Sequence, residues 1–380
     1  MKPIRRLFTA ALLVLALAGT GLLSQAPRQA AAPLTDEAKV LEAMHLIQSQ
    51  PLYEYVVELV SEKYGGRLTG TTEYEACVAW VESRLKGWGV EPGGENGTYR
   101  QLFPNPYTIV HKGGVCELLI PAGRGGVVRK AYKYEDEFMP GGTTGTGDVT
   151  AEVVYAGYGI TAPELGYDDY KGVDVKGKIV LLESEVPVGP GEKTLEPFKK
   201  WRPYSFHQYK LKNAAAHGAA GMIYNYGPIG NPNNAYVEGF VYHHVGAAVV
   251  ADVFAGTGKA HKDVVAAIRK ELKPRSFATG KTMRISNRSE HHTDGVGINL
   301  LGKITGSDPQ LKDEVIIIGG HLDHLGRLWE LLPGANDNAT AVAVTLGVAE
   351  AMAKCAVKPK RTVVFFFFGS EEQSEDQGTE

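Results

Sequence analysis

Apolar and polar positions alternate in two ways along the chain, and each pattern predicts different elements. Apolar runs at residues 299–304, 314–319 and 363–368 predict strands. The last run is apolar throughout, which is typical of a strand covered on both faces by helices. Apolar residues at helical spacing predict a helix over residues 338–354. Strands that alternate with helices favour an α/β fold for this part of the chain.

Earlier parts of the chain have a different composition and a different pattern of apolar residues. Apolar positions between Thr72 and Gly87 form one helical face, with Thr71 or Thr72 as the N-cap and Gly87 at the end. From about residue 135 to 285, glycines, tyrosines and short alternating runs dominate, and two amphipathic helices lie among them. A block of this length has the size of a small independent domain.

The N-terminus carries three basic residues, an apolar stretch over residues 7–23 and alanines at 30–32. This order is typical of a secretory signal peptide, so we expect the mature chain to begin near Pro33 and to be secreted or periplasmic. A membrane anchor is the alternative, but the stretch is slightly short and contains glycines. No later stretch is long and apolar enough to predict a stable membrane span after signal removal.

Charge and cysteine content narrow the possible partners. The net charge of −3 becomes −7 when residues 1–32 are removed, which gives no footprint for nucleic acid and disfavours anionic membranes. Cys77, Cys116 and Cys355 are odd in number and too widely spaced for a zinc knuckle. We expect either three buried thiols or one disulfide and one thiol.

Polar side chains stand at three element boundaries of the predicted α/β region. His321 and Asp323 follow the second apolar run, Asp337 precedes the helix, and Glu371 and Glu372 follow the third run. Sites in open α/β sheets form at the carboxyl ends of strands, so these groups are expected at one edge of the sheet.

One histidine beside several carboxylates, with no lysine or arginine, needs a cation to offset the negative charges. Imidazole and carboxylate ligands suit Zn²⁺, and a carboxylate can bridge two ions that activate a water. One of two adjacent glutamates can bind metal while the other takes a proton from the water.

Three segments in this order, "GGHLDHLG", "PGANDNATAV" and "VVFFFFGSEEQ", resemble the zinc aminopeptidase family with two metals. That family includes bacterial leucyl aminopeptidases, aminopeptidase Y and glutamate carboxypeptidase relatives. The resemblance is strong over residues 296–373, and about 135–285 resembles an inserted protease-associated domain. It implies an α/β/α sandwich with a mixed, mainly parallel sheet and a β-rich α+β insertion. The predicted divisions are 1–32 signal peptide, 33–134 first peptidase part, 135–285 protease-associated domain and 286–380 metal-binding core.

The resemblance also implies a role for each polar residue. His321 and Glu372 would bind one zinc, and Asp337 would bridge it to a second. Asp323 would hold the imidazole in position, and Glu371 would be the general base. His324 matches the motif without being a ligand in the family, and the peptide bond after Asp337 would be cis.

The chain departs from the family pattern after Glu372. Only "QSEDQGTE" follows, whereas the family continues with a helix, a further Asp ligand and a late His ligand. Glu375 and Asp376 lie too close to Glu372 to serve as that Asp. A complete site would hold two zincs. We expect this chain to be truncated at its C-terminus, with one weakly bound zinc or none and negligible activity.

Other candidate groups carry less chemistry. His243–His244 and His291–His292 are adjacent pairs, and neighbours in sequence point apart, so we expect surface loops rather than metal sites. The glycine-rich segment 141–149 lacks the lysine of a phosphate-binding loop.

The sequence as a whole predicts an exported zinc metalloaminopeptidase that removes N-terminal residues from peptide or protein substrates. Two alternatives stay open: a single-zinc enzyme similar to glutaminyl cyclases, and a non-catalytic remnant that binds peptides through its protease-associated domain. Side-chain preference, aminopeptidase against carboxypeptidase specificity and oligomeric state are not determined by these motifs.

Overall fold

A computed structural model describes residues 33–188, 196–230 and 235–373. The predicted signal peptide, together with Glu375 and Asp376, lies outside these residues. Within them the chain forms two large sheets, with one hydrophobic core on the first sheet and one on each face of the second. No helix among the described residues is long and apolar enough to cross a membrane.

The principal helices are α1 Asp36–Met44, α2 Ser49–Leu59, α3 Thr72–Gly87, α4 Glu196–Trp201, α5 His207–Ala216, α6 Ala247–Phe254, α7 His261–Glu271 and α8 Thr340–Lys354. The strands are β1 Glu91–Pro92, β2 Arg100–Pro104, β3 Tyr107–Pro121, β4 Val127–Ala131, β5 Phe138–Pro140, β6 Gly147–Tyr155, β7 Thr161–Ala162, β8 Tyr167–Asp168, β9 Ile179–Glu183, β10 Gly221–Asn225, β11 Val241–Val245, β12 Phe277–His292, β13 Val296–Ile304, β14 Val315–His321, β15 Arg327–Leu328, β16 Glu330–Leu331 and β17 Thr362–Phe368.

The first sheet has the order β1-β13-β17-β14, and β2 also pairs with β13. Only β14 and β17 run parallel, and the other pairings are antiparallel. The sheet is therefore mixed, but its described part is not mainly parallel as the resemblance implied. Helix α8 packs against β14, α3 packs against β13, and α2 covers α8.

The predicted strands and helices of this region are present. Phe365 and Phe367, which share one face of β17, are fully buried, whereas Val364, Phe366 and Phe368 on the other face are partly buried. The prediction of a strand covered on both faces is therefore met on one face only within the described residues. Strand β14 differs, because Val315, Ile316 and Ile317 are exposed at the edge of the described sheet. The apolar run predicted a strand correctly, but it could not predict which strand lies at the edge.

The second sheet has the order β16-β15-β3-β12-β6-β9-β10-β11-β5, with β4 on β3. Its central strands β6, β9, β10 and β11 are parallel. Ile179 and Leu181 enter one core, whereas Val180 and Leu182 enter another, because successive residues of a strand face opposite sides. The boundaries at 134/135 and 285/286 stay predictions. Apart from β15 and β16, the strands of this sheet lie between residues 107 and 292.

Two predictions about single residues have different outcomes. The surface-loop prediction for His243 and His244 is wrong, because both lie in β11 and are buried. The His291–His292 pair also lies in a strand, at the end of β12. Among the cysteines, Cys77 and Cys116 are buried thiols, Cys355 is partly exposed, and no disulfide joins them in the described residues.

Candidate metal centre

The predicted polar groups meet where β14 and β17 end. These strands are parallel and in register, so that His321 is the partner of Phe368, and the Leu322 N–H donates to the Phe368 carbonyl at 2.7 Å. The turn that carries Glu371 and Glu372 therefore begins beside the segment that carries His321. One edge of the sheet brings these groups together, as the sequence predicts.

His321 is at the centre of this group. Its Nε2 lies 2.9 Å from an Asp337 carboxylate oxygen and 3.9 Å from one of Glu371. Potential ligand atoms of His321, Glu371 and Glu372 all lie within 4.8 Å of one another. His321 is buried, whereas the side chains of Asp337 and Glu371 are 68% and 48% exposed. The group is therefore fixed on one side and open to solvent on the other.

Asp323 connects the segment that carries His321 to the turn that carries Glu371 and Glu372, from the buried side of the cluster. Its carboxylate is fully buried, and its two oxygens accept hydrogen bonds from the Glu371 N–H at 3.2 Å and the Glu372 N–H at 3.1 Å. One of these oxygens also lies 3.4 Å from His321 Nδ1. Asp323 thus contacts the imidazole, as predicted, and additionally holds the backbone of the glutamate turn.

The charges of the cluster change two pKa values. Burial lowers the pKa of His321, but its hydrogen bond to Asp323 and the negative charges of Asp323, Glu371 and Glu372 outweigh burial and raise it to about 9. Burial is the largest cause that raises the pKa of Glu371, and Glu372 adds to it, although His321 opposes both. A cation in this group would relieve the same accumulation of negative charge.

The two adjacent glutamates point to different partners. Glu371 faces His321 and solvent, whereas a Glu372 carboxylate oxygen lies 2.6 Å from His324 Nδ1. His324 therefore contacts the site through Glu372. The sequence identified His324 only as part of the motif, and the structure gives it this specific contact.

Backbone geometry before α8 brings Asp337 to the group. The Asp337–Asn338 peptide bond is cis, as the resemblance implied. Gly334 has φ +57°, and a Cβ at this position would lie 2.4 Å from the His324 ring. Glycine is therefore required here by both backbone conformation and the close approach of His324.

Sequence reasoning missed two buried residues that support the site. Arg67 donates hydrogen bonds to backbone carbonyls on both sides of the segment between His321 and Asp337. Asn105 accepts from Ser370 Oγ at 2.6 Å and donates to Gln373 at 3.2 Å, and so it holds the glutamate turn. Neither residue carried a sequence signal for burial, because charged and amide side chains between elements usually lie at the surface.

The fold and site define an α/β protein with a histidine–carboxylate centre and a second β-rich sheet inserted between parts of the first. Residues 299–377 match the model of peptidase family M28, and residues 149–258 match the PA domain. The chain therefore carries a peptidase family M28 segment together with an inserted PA domain. These matches confirm the resemblance inferred from the three sequence segments.

Two solved structures are similar over most of the chain. The aminopeptidase from Aneurinibacillus sp. strain AM-1 has 21% sequence identity and a TM-score of 0.55, with 89% of this chain and 65% of that chain covered. The peptidase M28 precursor from Shewanella amazonensis SB2B has 17% identity and a TM-score of 0.53, with 90% and 69% covered. At these identities the similarity concerns the fold.

The similarity to known proteins is partial. The chain spans 65% of the length of the Aneurinibacillus protein. No curated protein matches the chain.

Proposed function

We propose that this chain forms the metal-binding part of a zinc-dependent aminopeptidase. The observation that carries the proposal is the approach of His321, Glu371 and Glu372, with Asp337 beside the imidazole, at the carboxyl ends of two parallel strands. The match to peptidase family M28 supports peptide-bond hydrolysis, and the similarity to the Aneurinibacillus aminopeptidase supports the removal of N-terminal residues.

The donor set fits zinc. His321 Nε2, Glu372 and Asp337 would hold one ion, because imidazole nitrogen and carboxylate oxygen are common zinc ligands. Asp337 is the residue that would bridge to a second ion. Bound zinc would lower the pKa of a water molecule and polarise a peptide carbonyl. Among the described residues, the ligand set supports a single ion, which we expect to bind weakly.

Glu371 is proposed as the general base. Its carboxylate is half exposed and lies 3.9 Å from His321 Nε2, so that it would be within reach of a water held beside the imidazole. A Glu371 oxygen would accept a proton from the attacking water and transfer it to the leaving amine. Asp323 would keep the imidazole and the glutamate turn oriented, as residues behind metal ligands commonly do.

The two alternatives have different support. The three ligands for one ion favour a single-zinc enzyme as the second candidate, similar to glutaminyl cyclases. A non-catalytic peptide-binding protein would depend on the PA domain. Metal content and turnover together distinguish these possibilities from an aminopeptidase.

We also propose that the protein is exported. The basic start, apolar stretch and alanines of residues 1–32 support this, and cleavage near Pro33 would leave an acidic mature chain. N-terminal sequencing of protein from the native host tests the proposal. An intact Met1 on soluble protein would contradict it.

The central experiment measures zinc binding and hydrolysis of aminoacyl-nitroanilides by the same preparation. We expect one bound zinc, and any turnover should disappear with a chelator and in Glu371→Gln, which keeps the proposed ligands. Glu75→Gln, on helix α3, is the control. Zinc binding without turnover agrees with the negligible activity expected of this chain, and the absence of zinc binding overturns the metal assignment.

A further inference from the structure

Arg67 is an arginine inside the protein rather than on its surface. It is 1% exposed, and its guanidinium group donates four hydrogen bonds to backbone carbonyls. The acceptors are Leu322 from Nε at 2.8 Å, Leu59 and Pro333 from Nη1 at 2.8 and 2.7 Å, and Gly334 from Nη2 at 2.8 Å.

Three of these carbonyls belong to the two ends of one loop, residues 322–334. Leu322 lies between His321 and Asp323, and Gly334 lies three residues before Asp337. The loop therefore leaves the sheet after one proposed ligand and returns just before another. A single planar group contacts both ends, so its position fixes how far apart they are.

The backbone around Arg67 adds two further contacts to the same loop. The His324 N–H donates to the Arg67 carbonyl, and the Gly326 N–H donates to the Gly66 carbonyl, each at 3.0 Å. Arg67 thus holds the first end of the loop by its backbone and both ends by its side chain. Its own φ of +54° is uncommon for a residue with a side chain, and these contacts hold it there.

Arginine suits this task for a geometric reason. The guanidinium donors lie in one plane in a fixed fork, so carbonyls in different directions are bound at set separations. Burial lowers the pKa of Arg67, while the negative charges of Asp323 and Glu372 act to raise it. A lysine would keep the charge, but its single flexible ammonium group cannot span the same carbonyls.

We propose that Arg67 is a positioning residue for the metal centre, because its guanidinium group sets the separation between His321 and Asp337. The inference rests on the proposed function, since it assigns these two residues to one metal ion. Among the described residues, the guanidinium group of Arg67 donates to backbone carbonyls. It acts through the backbone of the loop that joins the ligands.

The test compares Arg67→Lys with the unchanged chain in two measurements. The first is zinc affinity, by competition with a chromophoric chelator, and the second is amide hydrogen exchange of the metal-free protein. The control is Lys210→Met, which removes an equally buried basic side chain that donates to the Tyr158 carbonyl near the second sheet.

Arg67→Lys should weaken zinc binding ten-fold or more, which is the usual effect of altering a residue behind metal ligands. It should also speed exchange at His324 and Ala339, whose N–H groups are hydrogen-bonded at the two ends of the loop. Lys210→Met should leave zinc affinity and these two amides unchanged.

The outcomes separate this inference from the function on which it rests. If the unchanged chain binds no zinc, the metal assignment fails, and faster exchange at His324 and Ala339 still tests the effect of Arg67 on the loop. Unchanged zinc affinity in Arg67→Lys overturns the positioning role, even if the loop exchanges faster. Exchange that rises equally throughout the molecule also overturns it, because Arg67 would then contribute only general stability.

Discussion

Asp323 joins two segments that are almost fifty residues apart in the sequence. Each of its oxygens accepts one N–H from consecutive residues, Glu371 and Glu372, and one oxygen also approaches His321. A buried carboxylate is suited to this position because both of its oxygens are acceptors. The side chain that orients the imidazole therefore also fixes the direction of the glutamate turn.

Asp323→Asn is predicted to destabilise the protein even without metal. The amide NH₂ group would face the N–H of Glu371 or Glu372, so that one buried donor loses its acceptor, at a cost of about 1–3 kcal/mol. Urea unfolding in the presence of a chelator measures the free energy of unfolding. Asp308→Asn, in an exposed turn, is the control, and equal stability of both variants would contradict the prediction.

Gly334→Ala is predicted to cost more than an ordinary glycine substitution at positive φ. The new Cβ would lie 2.4 Å from the His324 ring, in addition to the strain of φ +57°. Gly177→Ala is the matched control, because it has φ +69° with open space around the Cβ. We expect about 1 kcal/mol for Gly177→Ala and at least twice that for Gly334→Ala in urea unfolding. Similar values for the two variants would show that the loop yields to the methyl group.

At the scale of elements, sequence patterns predicted which segments form strands and helices. They predicted less well which elements lie beside one another. The apolar run of β17 and the helical spacing of α8 were sufficient to predict both, and chain order was sufficient to bring His321 near Glu371. The edge position of β14 was not predictable, because it depends on which distant strands pair. The burial of His243 was missed for the same reason. Two adjacent histidines do not indicate which distant strands will pair with their own strand and bury it.

Strand β11 makes the second sheet sensitive to acid. Burial lowers the pKa values of His243 and His244 to about 4 from 6.5. Below pH 6.5 the unfolded chain binds protons that the folded chain does not bind. Stability should therefore fall as the pH decreases from about 6.5 to about 4, by roughly 3 kcal/mol for each histidine.

The variant His243→Phe should reduce this loss, because the replacement ring cannot take up a proton. Urea unfolding at pH 7.5 and pH 4.5 gives the two free energies, and the difference between them is the quantity to compare. His45→Phe, at an exposed position, is the control. An unchanged difference in His243→Phe would show that this histidine does not cause the acid sensitivity.

At the scale of the whole molecule, the segment between His324 and Gly334 links the two sheets. It leaves the first sheet after β14, forms β15 and β16 on the edge of the second sheet, and returns to the candidate metal centre. Leu328 is buried there with Val110 and Met139. The Tyr134 hydroxyl donates a hydrogen bond to the Leu328 carbonyl. The loop that Arg67 holds at its base is therefore held at its tip by the second sheet.

Leu328→Ala is predicted to affect both sheets. Removing this buried side chain should cost about 2–4 kcal/mol, and it should speed amide exchange at Val110 in the second sheet and at His324 beside the metal centre. Leu272→Ala, at an exposed position, is the control. Faster exchange at Val110 alone would show that the two sheets respond independently.

The path of this segment has a consequence for recombination between related proteins. A chimera designed from chain order would exchange residues 107–292 as a cassette, because the chain passes between the sheets near both positions. Such a cassette would lack β15 and β16, which come from residues 327–331. A compatible exchange must transfer this short segment as well, so the inserted unit and the active-centre loop are expected to be inherited together.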